Sequence, residues 1–473
     1  MSTTTTTATR AETLTNPHDA PEAAPERTSS SSSKETFHLI NDPAEAIHEA
    51  ALGLIEHHPN LCYAPAHKIT YRSDLETFRK DHVTTIGFAG GGHEPMFSGF
   101  VGPSYLSASV SGAIFASPTA AQIFEAIKLC QPRGADSKGT LIVCGNYTGD
   151  ILNAGLAITR ATAAGYKVRF VPIGDDVAVG RKKGGKVGRR GLSGHVVGLK
   201  IACALADQGE ALERVADVME YIAKNSGTIA VAFDRVALPN STMTEIQALP
   251  PATIELGLGC HGEPGLRQMS PVPSPASLVK TMIELLVNTN DEDRSFIPFS
   301  STQKNDAILL VNSSGSTSDE VLARFAELAV AELEQHGIRV VRLTLGPMVT
   351  SLKQSGFGLT VWRLPSVDET KPLSRDEAVE CWDRKVNVAA FRQYECTDCD
   401  LPCPPRVPDP KSNTPFSLAY GSADLGIGHG CAVTRSGIYV RVQRPPEGSK
   451  KSPWIPRVQG IFGAELLRRR TEV

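Results

Sequence analysis

Two histidines and one aspartate lie in turns at or near the end of apolar, strand-like runs: His93, Asp150 and His261. Open α/β sheets bind their ligands beyond the carboxyl ends of their strands, so each residue stands where such a fold places a site. A histidine titrates near neutral pH and a carboxylate can accept a proton, so these residue types suit acid/base chemistry. Each of them also has a purely structural interpretation.

His93 belongs to the segment Gly-Phe-Ala-Gly-Gly-Gly-His-Glu-Pro at 87–95, which directly follows a strand-like run ending at Ile86. Three consecutive glycines let the backbone come close to a small ligand. The alternative interpretation is a glycine-rich turn with an incidental histidine.

Asp150 ends the segment Asn-Tyr-Thr-Gly-Asp at 146–150. A carboxylate at the start of a helix is most often an N-cap. The functional alternative is an acid/base carboxylate aimed into a cleft, which the helix dipole helps to keep ionised.

His261 lies in the segment Gly-Leu-Gly-Cys-His-Gly-Glu-Pro-Gly at 257–265. Because Gly259 and Gly262 flank it, its ring is sterically open, and a substrate carbonyl could reach a ring nitrogen. The alternative is a histidine in a surface loop.

Strands and helices alternate along the chain between these residues. Runs rich in β-branched residues predict strands at 83–86, 140–144, 168–173, 228–232, 308–311 and 338–343. Helical periodicity predicts helices at 120–129, 152–164, 192–205, 211–223, 278–286 and 319–336, after a first helix that starts at Asp42-Pro43. This order predicts an α/β fold of two lobes, with mostly parallel sheets covered by helices.

Composition excludes several classes of protein. The chain has 473 residues, 41% hydrophobic and 21% charged, with a formal net charge of −3. That apolar content excludes a chain that is disordered throughout, and the near-neutral charge disfavours a dedicated nucleic-acid-binding protein. Because no window approaches 18 uninterrupted apolar residues, no membrane partner is expected. The first five cysteines are widely scattered, which favours reduced thiols and a cytoplasmic protein.

Several segments together resemble one family, the dihydroxyacetone kinases, in their substrate-binding K module. The matching text is Gly-Gly-His-Glu-Pro, Phe115-Ala-Ser-Pro, Asn-Tyr-Thr-Gly-Asp-x-Leu-Asn, Gly188-Arg-Arg-Gly-Leu-Ser-Gly, Gly-x-His-Gly-Glu-Pro-Gly and Met348-Val-Thr-Ser-Leu-Lys-Gln-Ser-Gly-Phe. The likeness runs in the expected order from about Phe37 to Leu364.

The resemblance implies roles for the three residues. The histidine that matches His261 adds through a ring nitrogen to the ketone carbon of dihydroxyacetone and forms a covalent hemiaminal. The positions that match His93 and Asp150 act as acid/base groups on the hydroxyl that receives the phosphoryl group. Hydrogen bonds to the small hydroxyls of the substrate are implied for Gly91, Gly92 and Ser117, and Gly262 is placed among the substrate-binding residues.

The chain departs from the family pattern in its glycine loop. Phe88 and Ala89 stand where the family usually has glycines. If those glycines need a positive φ, a Phe there would cost about 1–2 kcal/mol or force a different loop path.

Composition along the chain predicts a division into four parts: a disordered leader at 1–36, lobe 1 at 37–185, lobe 2 at 186–364 and a proline-rich, irregular tail at 365–473. The family implies ATP and Mg²⁺, bound by a second module of eight helices. The tail holds 109 residues with twelve prolines, too few for such a module, so a separate nucleotide-binding subunit is the expected partner.

Two further motifs have open interpretations. Cys396, Cys399 and Cys403 are weak candidates for a metal site, with Cys381, His429 or Cys431 as a fourth ligand, against loosely ordered thiols. The basic stretch 181–190 resembles a nuclear-import or phosphate-binding run, but a solvated loop between the lobes is favoured.

The resulting hypothesis is a glycerone kinase-like protein that binds dihydroxyacetone or a related short ketose and takes part in its phosphorylation. A homodimer is implied by the resemblance only. The alternatives are a ketose-binding sensor or regulator that does not transfer phosphate, and a family member recruited to another small-carbonyl reaction.

Overall fold

The computed structural model describes residues 38–132, 134, 136–239, 248–366, 368–369 and 371–391, together with two strands at 429–433 and 439–443. Its strands, in chain order, are β1 Leu61–Ala64, β2 Ile69–Arg72, β3 Thr84–Gly91, β4 Ala108–Ile114, β5 Thr140–Gly145, β6 Val168–Ile173, β7 Ser226–Ala232, β8 Ile254–Leu256, β9 Arg267–Met269, β10 Asn305–Ser313, β11 Ile338–Gly346, β12 Gly356–Arg363, β13 His429–Val433 and β14 Tyr439–Gln443. Its helices are α1 Ala46–His57, α2 Leu75–Asp81, α3 Ala120–Cys130, α4 Thr148–Ala163, α5 Arg181–Gly184, α6 Gly194–Asp207, α7 Leu212–Lys224, α8 Pro275–Val287, α9 Asp319–Gln335 and α10 Arg375–Asp383.

The first sheet has six strands in the order β1-β2-β4-β3-β5-β6. Strands β4, β3, β5 and β6 run parallel, and β2 and β1 continue the sheet in antiparallel pairing. On its outer face, α3 and α4 cover a cluster that includes Phe88, Ile123 and Ala157. Helix α3 begins in a capping box between Thr119 and Gln122, which satisfies its first backbone N–H groups.

The second sheet also has six strands, in the order β11-β10-β12-β7-β8-β9. Only β10 and β11 pair in parallel, whereas the other neighbours are antiparallel. The expectation of mostly parallel strands is therefore wrong for this sheet. A parallel pair needs a long crossover connection, but β11 and β12 are joined by a short loop without a helix.

A layer of helices lies between the two sheets. Every residue of α6 from Gly194 to Ala206 is buried, as expected for a helix packed on all sides. Leu199 of this helix shares one apolar cluster with Leu141 of the first sheet and Trp362 of the second. Helices α8 and α9 cover the far face of the second sheet. The body thus consists of five layers, with α3/α4 and α8/α9 outermost.

The α/β class with two sheet-containing lobes is confirmed, and all six strands and six helices predicted between 83 and 343 are present, most of them with ends shifted by a few residues. The first helix begins at Ala46 rather than at Asp42-Pro43, because Asp42 accepts a hydrogen bond from Ala44 N–H in a preceding turn. The domain limits stay a prediction. The candidate ligands Cys396, Cys399 and Cys403 lie outside the described residues.

Residues beyond Leu364 continue the core. Helix α10 buries Cys381 and Trp382 in the cluster between the sheets, and Phe391 packs edge-on against Trp382. The helix ends at Asp383. Within the described part of the chain, no helix is both long and apolar enough to cross a membrane.

Candidate functional site

His93 lies just beyond the carboxyl end of β3. Gly92, between the strand and the histidine, has φ +93°, a conformation that L side chains rarely adopt. A Cβ there would stand 2.8 Å from the ring of Phe115, which stacks on the His93 ring at 4.9 Å between centroids and 13° between planes. This glycine therefore lets the backbone turn tightly enough to bring the histidine against Phe115.

The hydrogen bonds of His93 define its tautomer. Its Nδ1 lies 2.8 Å from the carbonyl oxygen of Thr350, which can only accept, so Nδ1 carries the hydrogen. Burial, together with the positive charge of His261, lowers the pKa of His93 to about 4. The ring is therefore neutral at pH 7, and its Nε2 has a free lone pair.

His261 lies in the loop after β8. Its backbone N–H and its Nδ1 both donate to the carboxylate of Glu263, at 2.9 Å each. Burial acts to lower the pKa of His261, but the contacts with Cys260 and Glu263 outweigh it and raise the pKa to about 10. The same pairing lowers the pKa of Glu263 to about 2, against the effect of burial. At neutral pH the loop holds an imidazolium beside a carboxylate.

The two histidines meet at the centre of the site. Their Nε2 atoms are 3.1 Å apart, with the ring planes 76° to each other. Since the Nε2 of His93 has only a lone pair, the Nε2 of His261 must donate this hydrogen bond. One proton thus lies between the neutral imidazole of His93 and the imidazolium of His261.

Asp150 enters the site from the first turn of α4. The N-cap of this helix is Tyr147, and Oδ1 of Asp150 is buried with no hydrogen-bond partner among the described residues. Asp150 is therefore not the N-cap of α4. Burial raises the pKa of Asp150 to about 6, although Ser117 and His261 act in the opposite direction. The result is a poorly solvated, basic carboxylate near His261.

Aromatic rings form the walls of the site. Phe115 and Tyr147 both meet the ring of His261 edge-on, with centroids 4.9 Å away. The Tyr147 hydroxyl lies 3.0 Å from the carbonyl oxygen of Gly191 and 3.0 Å from Sγ of Cys260. Sequence reasoning assigned no role to Phe115, Tyr147 or Cys260, although each stands in or beside a motif that was recognised.

The predicted binding residues lie around this centre. Gly91 is the last residue of β3. Ser117 lies against the start of α4, because a Cβ added to Gly149 would be 2.7 Å from Oγ of Ser117. Gly262 follows His261 with φ +83°. The N–H of Gly92 already donates to Glu94 at 2.9 Å.

Phe88 and Ala89 cause no strain. Both lie within β3, neither has a positive φ, and Phe88 is fully buried in the outer cluster of the first sheet. The departure from the glycine pattern therefore falls in the strand and leaves the turn at Gly92 intact.

The basic stretch 181–190 divides into two kinds of residue. Lys182, Lys183 and Lys186 are exposed, in agreement with a solvated loop. Arg189 instead donates to the carbonyl oxygens of Asp175 and Ser226 and holds the loop against the second sheet.

The residues described here do not fit Mg²⁺. Among them, the one group of three metal-binding side chains is His93, Cys260 and His261. Magnesium requires oxygen ligands, whereas this group offers nitrogen and sulfur. No chemical step can therefore be assigned to ATP and Mg²⁺ from the described part of the chain.

Comparison with known proteins identifies the family of this arrangement. The Dak1 domain model matches residues 52–390. Dihydroxyacetone kinase 2 of Saccharomyces cerevisiae is 41% identical over 313 residues, which cover 66% of this chain and 51% of that protein. Triokinase/FMN cyclase of Homo sapiens is 36% identical over 355 residues, which cover 74% of this chain and 58% of that protein. The chain therefore spans about half the length of the curated relatives it matches.

Two solved structures share the fold. The native dihydroxyacetone kinase of C. freundii has a TM-score of 0.63 and 27% identity, over 78% of this chain and 64% of that one. A dihydroxyacetone kinase operon co-activator has the same TM-score and identity, over 73% of this chain and 98% of that one.

Proposed function

The chain belongs to the Dak1 domain family, and on this premise we propose that it binds dihydroxyacetone or a related short ketose covalently through His261 and takes part in its phosphorylation. The observation that carries the proposal is the 3.1 Å contact between the Nε2 atoms of His93 and His261, beside the aromatic rings of Phe115 and Tyr147. The contact joins a proton acceptor to the nitrogen that would attack the ketone.

The covalent step begins with the proton between the rings. His261 Nε2–H gives its proton to the lone pair of His93 Nε2, and the freed lone pair of His261 attacks the ketone carbon. A C–N bond forms, the C=O π bond breaks, and the oxygen takes the proton from His93 to give the hemiaminal hydroxyl, while the ring of His261 keeps its positive charge as an imidazolium. Glu263 keeps Nδ1 protonated throughout, so Nε2 is the nitrogen that reacts.

Asp150 then acts on a terminal hydroxyl of the bound ketose. Its unpartnered, buried Oδ1 can accept the hydrogen of that hydroxyl. With a pKa of about 6 it is ionised at pH 7 and is more basic than an exposed aspartate. Ser117, Gly91 and Gly92 line the approach to the substrate, and Gly262 keeps the access to His261 open.

The phosphoryl donor in this proposal is ATP with Mg²⁺, carried by a separate nucleotide-binding subunit. Relatives named dihydroxyacetone kinase and triokinase support the kinase class. The homodimer and the cytoplasmic location remain predictions from the sequence.

Calorimetry with two substrates tests ketose binding. We expect heat from dihydroxyacetone and none from glycerol, because only the ketone can form the C–N bond. His261→Ala should abolish the signal, whereas His336→Ala, at the end of the outer helix α9, should keep it. Equal binding of both compounds, or binding unchanged in His261→Ala, would contradict the proposal.

A second candidate function is a ketose-binding regulator. It is favoured by the likeness to the operon co-activator, of which this chain covers 98%. Phosphorylation assays with ATP, with and without added nucleotide-binding subunits of the family, separate the two. Turnover in any mixture supports the kinase, and binding without turnover in all of them supports the regulator.

A further inference from the structure

Three side chains at the site together offer ligand atoms for a metal ion, a role separate from the proposed reaction. The Nε2 atoms of His93 and His261 and the Sγ of Cys260 come from two separate loops, and potential ligand atoms of the three residues lie within 4.8 Å of one another. We propose that these residues form a binding site for a soft divalent cation such as Zn²⁺.

The spacing is close to that of a tetrahedral zinc site. With Zn–N near 2.0 Å and Zn–S near 2.3 Å, two nitrogen ligands stand about 3.3 Å apart, and nitrogen and sulfur about 3.6 Å apart. Here the two Nε2 atoms are 3.1 Å apart, and Sγ of Cys260 is 4.0 Å from Nε2 of His261. Because Sγ also lies 3.7 Å from Nδ1 of His261, it stands beside the ring, and metal binding requires a change of the Cys260 rotamer that brings Sγ to the Nε2 side.

Hydrogen bonds already hold all three ligands. A histidine that binds zinc usually donates its second ring N–H to a carbonyl or carboxylate, which orients the ring. His93 does so to Thr350 O at 2.8 Å, and His261 does so to Glu263 at 2.9 Å. The Tyr147 hydroxyl donates to the carbonyl oxygen of Gly191, and its oxygen lies 3.0 Å from Cys260 Sγ, where it can accept from the thiol and hold that side chain.

The donor set selects the class of metal. Two imidazoles and one thiolate suit Zn²⁺, Co²⁺ and other borderline or soft ions, whereas Mg²⁺ and Ca²⁺ prefer oxygen ligands. Three protein ligands leave the fourth tetrahedral position to water or another small ligand.

The metal and the ketose would exclude each other. The metal would bind Nε2 of His261 as a ligand, and the ketose would form a covalent bond with the same atom. This consequence rests on the proposed function, whereas metal binding itself does not. Soft metal ions would thus block capture of the ketose, and a chelator would restore it.

Titration of the full-length protein with Co²⁺ tests the site. The background variant carries Cys396→Ser, Cys399→Ser and Cys403→Ser, so that the tail cysteines cannot contribute. We expect one equivalent of Co²⁺ with tetrahedral d–d bands in the visible range and a thiolate charge-transfer band. Cys260→Ser should remove the charge-transfer band and weaken binding more than about 100-fold, and Glu263→Gln should weaken it about 10–100-fold. The matched control Cys62→Ser, which replaces a partly exposed thiol on β1, should change neither.

Two results would overturn the site: Co²⁺ spectra without a thiolate band, or equal Co²⁺ affinity in Cys260→Ser and the background variant.

The mutual exclusion of metal and ketose is tested by measuring ketose binding with and without Zn²⁺ within each variant. We expect Zn²⁺ to suppress binding in the background variant and much less in Cys260→Ser. Ketose binding unaffected by bound metal would overturn the exclusion, and a protein that binds metal but no ketose at all would contradict the proposed function alone.

Discussion

The carboxylate of Glu263 holds His261 at two points, accepting hydrogen bonds from its backbone N–H and from its Nδ1, each at 2.9 Å. One side chain therefore orients the ring and stabilises its charge. Because Nδ1 is committed to this contact, Nε2 is the nitrogen that faces His93. The reactive atom of the site is selected by a residue two positions along the chain.

Glu263→Gln should shift the pH dependence of ketose binding. Capture starts from the His261 imidazolium and leaves the ring positively charged, so binding should fall as pH rises through the raised pKa of His261, about 10, where the free ring loses its charge. Loss of the charge-assisted hydrogen bond lowers that pKa, and the midpoint should move to lower pH by about one to two units. Calorimetric titrations across pH, in the presence of a chelator, measure the midpoint.

The matched control is Glu332→Gln, which removes a carboxylate beside His336 on an outer helix. Its midpoint should equal that of the unaltered protein. A midpoint that stays unchanged in Glu263→Gln, or moves to higher pH, would contradict the role given to this carboxylate.

Asp150→Asn should make the protein more stable at neutral pH. The raised folded-state pKa, about 6, means that the folded protein favours the protonated carboxyl, and this contribution to stability is lost as pH rises through 6. At pH 7 the buried carboxylate lowers the free energy of unfolding by about 3 kcal/mol at most. The neutral amide of asparagine carries no such cost. Thermal unfolding at neutral pH and below the ordinary pKa of aspartate measures the difference.

The stabilisation should disappear in the acidic sample, where both side chains are neutral. Asp81→Asn, an exposed aspartate at the end of α2, is the control and should have little effect at either pH. A less stable Asp150→Asn at neutral pH would show that the carboxylate is satisfied in the fold. In a reconstituted kinase assay the same variant should lose about 10²–10⁴-fold in rate, as expected for a missing general base.

Gly92→Ala should impair ketose binding by displacing Phe115 from His93. Both the positive φ and the 2.8 Å approach of a new Cβ to the Phe115 ring oppose any side chain here. Gly165→Ala is a matched control, because that glycine has φ +84° but nothing within 4 Å of an added Cβ. Both variants should lose about 1–2 kcal/mol from backbone strain, and only Gly92→Ala should also lose at least about tenfold in affinity for the ketose. Equal affinities in calorimetry would refute the positioning role of Gly92.

The sequence predicted the fold where hydrophobic patterns were strong. Strand β6 was placed at its observed bounds, because a run rich in β-branched residues between turn signals has few alternatives. Strands such as β4 and β12 were not predicted, since Ser, Gly and Thr interrupt their apolar residues. Strand direction in the second sheet also escaped prediction, because it depends on which strands become neighbours in space.

The candidate site was predictable as a set of residues, but its geometry was not. His93 and His261 are 168 positions apart, and no local pattern indicates that their Nε2 atoms meet. The tautomers follow only from Thr350 and Glu263, which no sequence argument had paired with the rings. Cys260 lies in the same loop as His261, so its position next to the predicted histidine was the sequence signal that could have placed it in the site.

Trp382→Ala should destabilise the whole body, because this side chain fills the cluster between the two sheets. The expected loss is about 3–5 kcal/mol in the free energy of unfolding, typical of a large aromatic side chain removed from a core. The control is Leu156→Ala on α4, where 47% of the residue is exposed and the loss should be small. Denaturant unfolding measures both, and equal losses would mean that 371–391 adds little to the core.

The central claim, a covalent bond between His261 and the ketose, is tested most directly by NMR. Protein labelled with ¹⁵N-histidine is mixed with dihydroxyacetone labelled with ¹³C at its carbonyl carbon, in the presence of a chelator. We predict a bound tetrahedral carbon with a one-bond coupling to a histidine nitrogen, present in His336→Ala and absent in His261→Ala. A bound carbon that stays a carbonyl or a hydrate, without coupling to nitrogen, would contradict the claim.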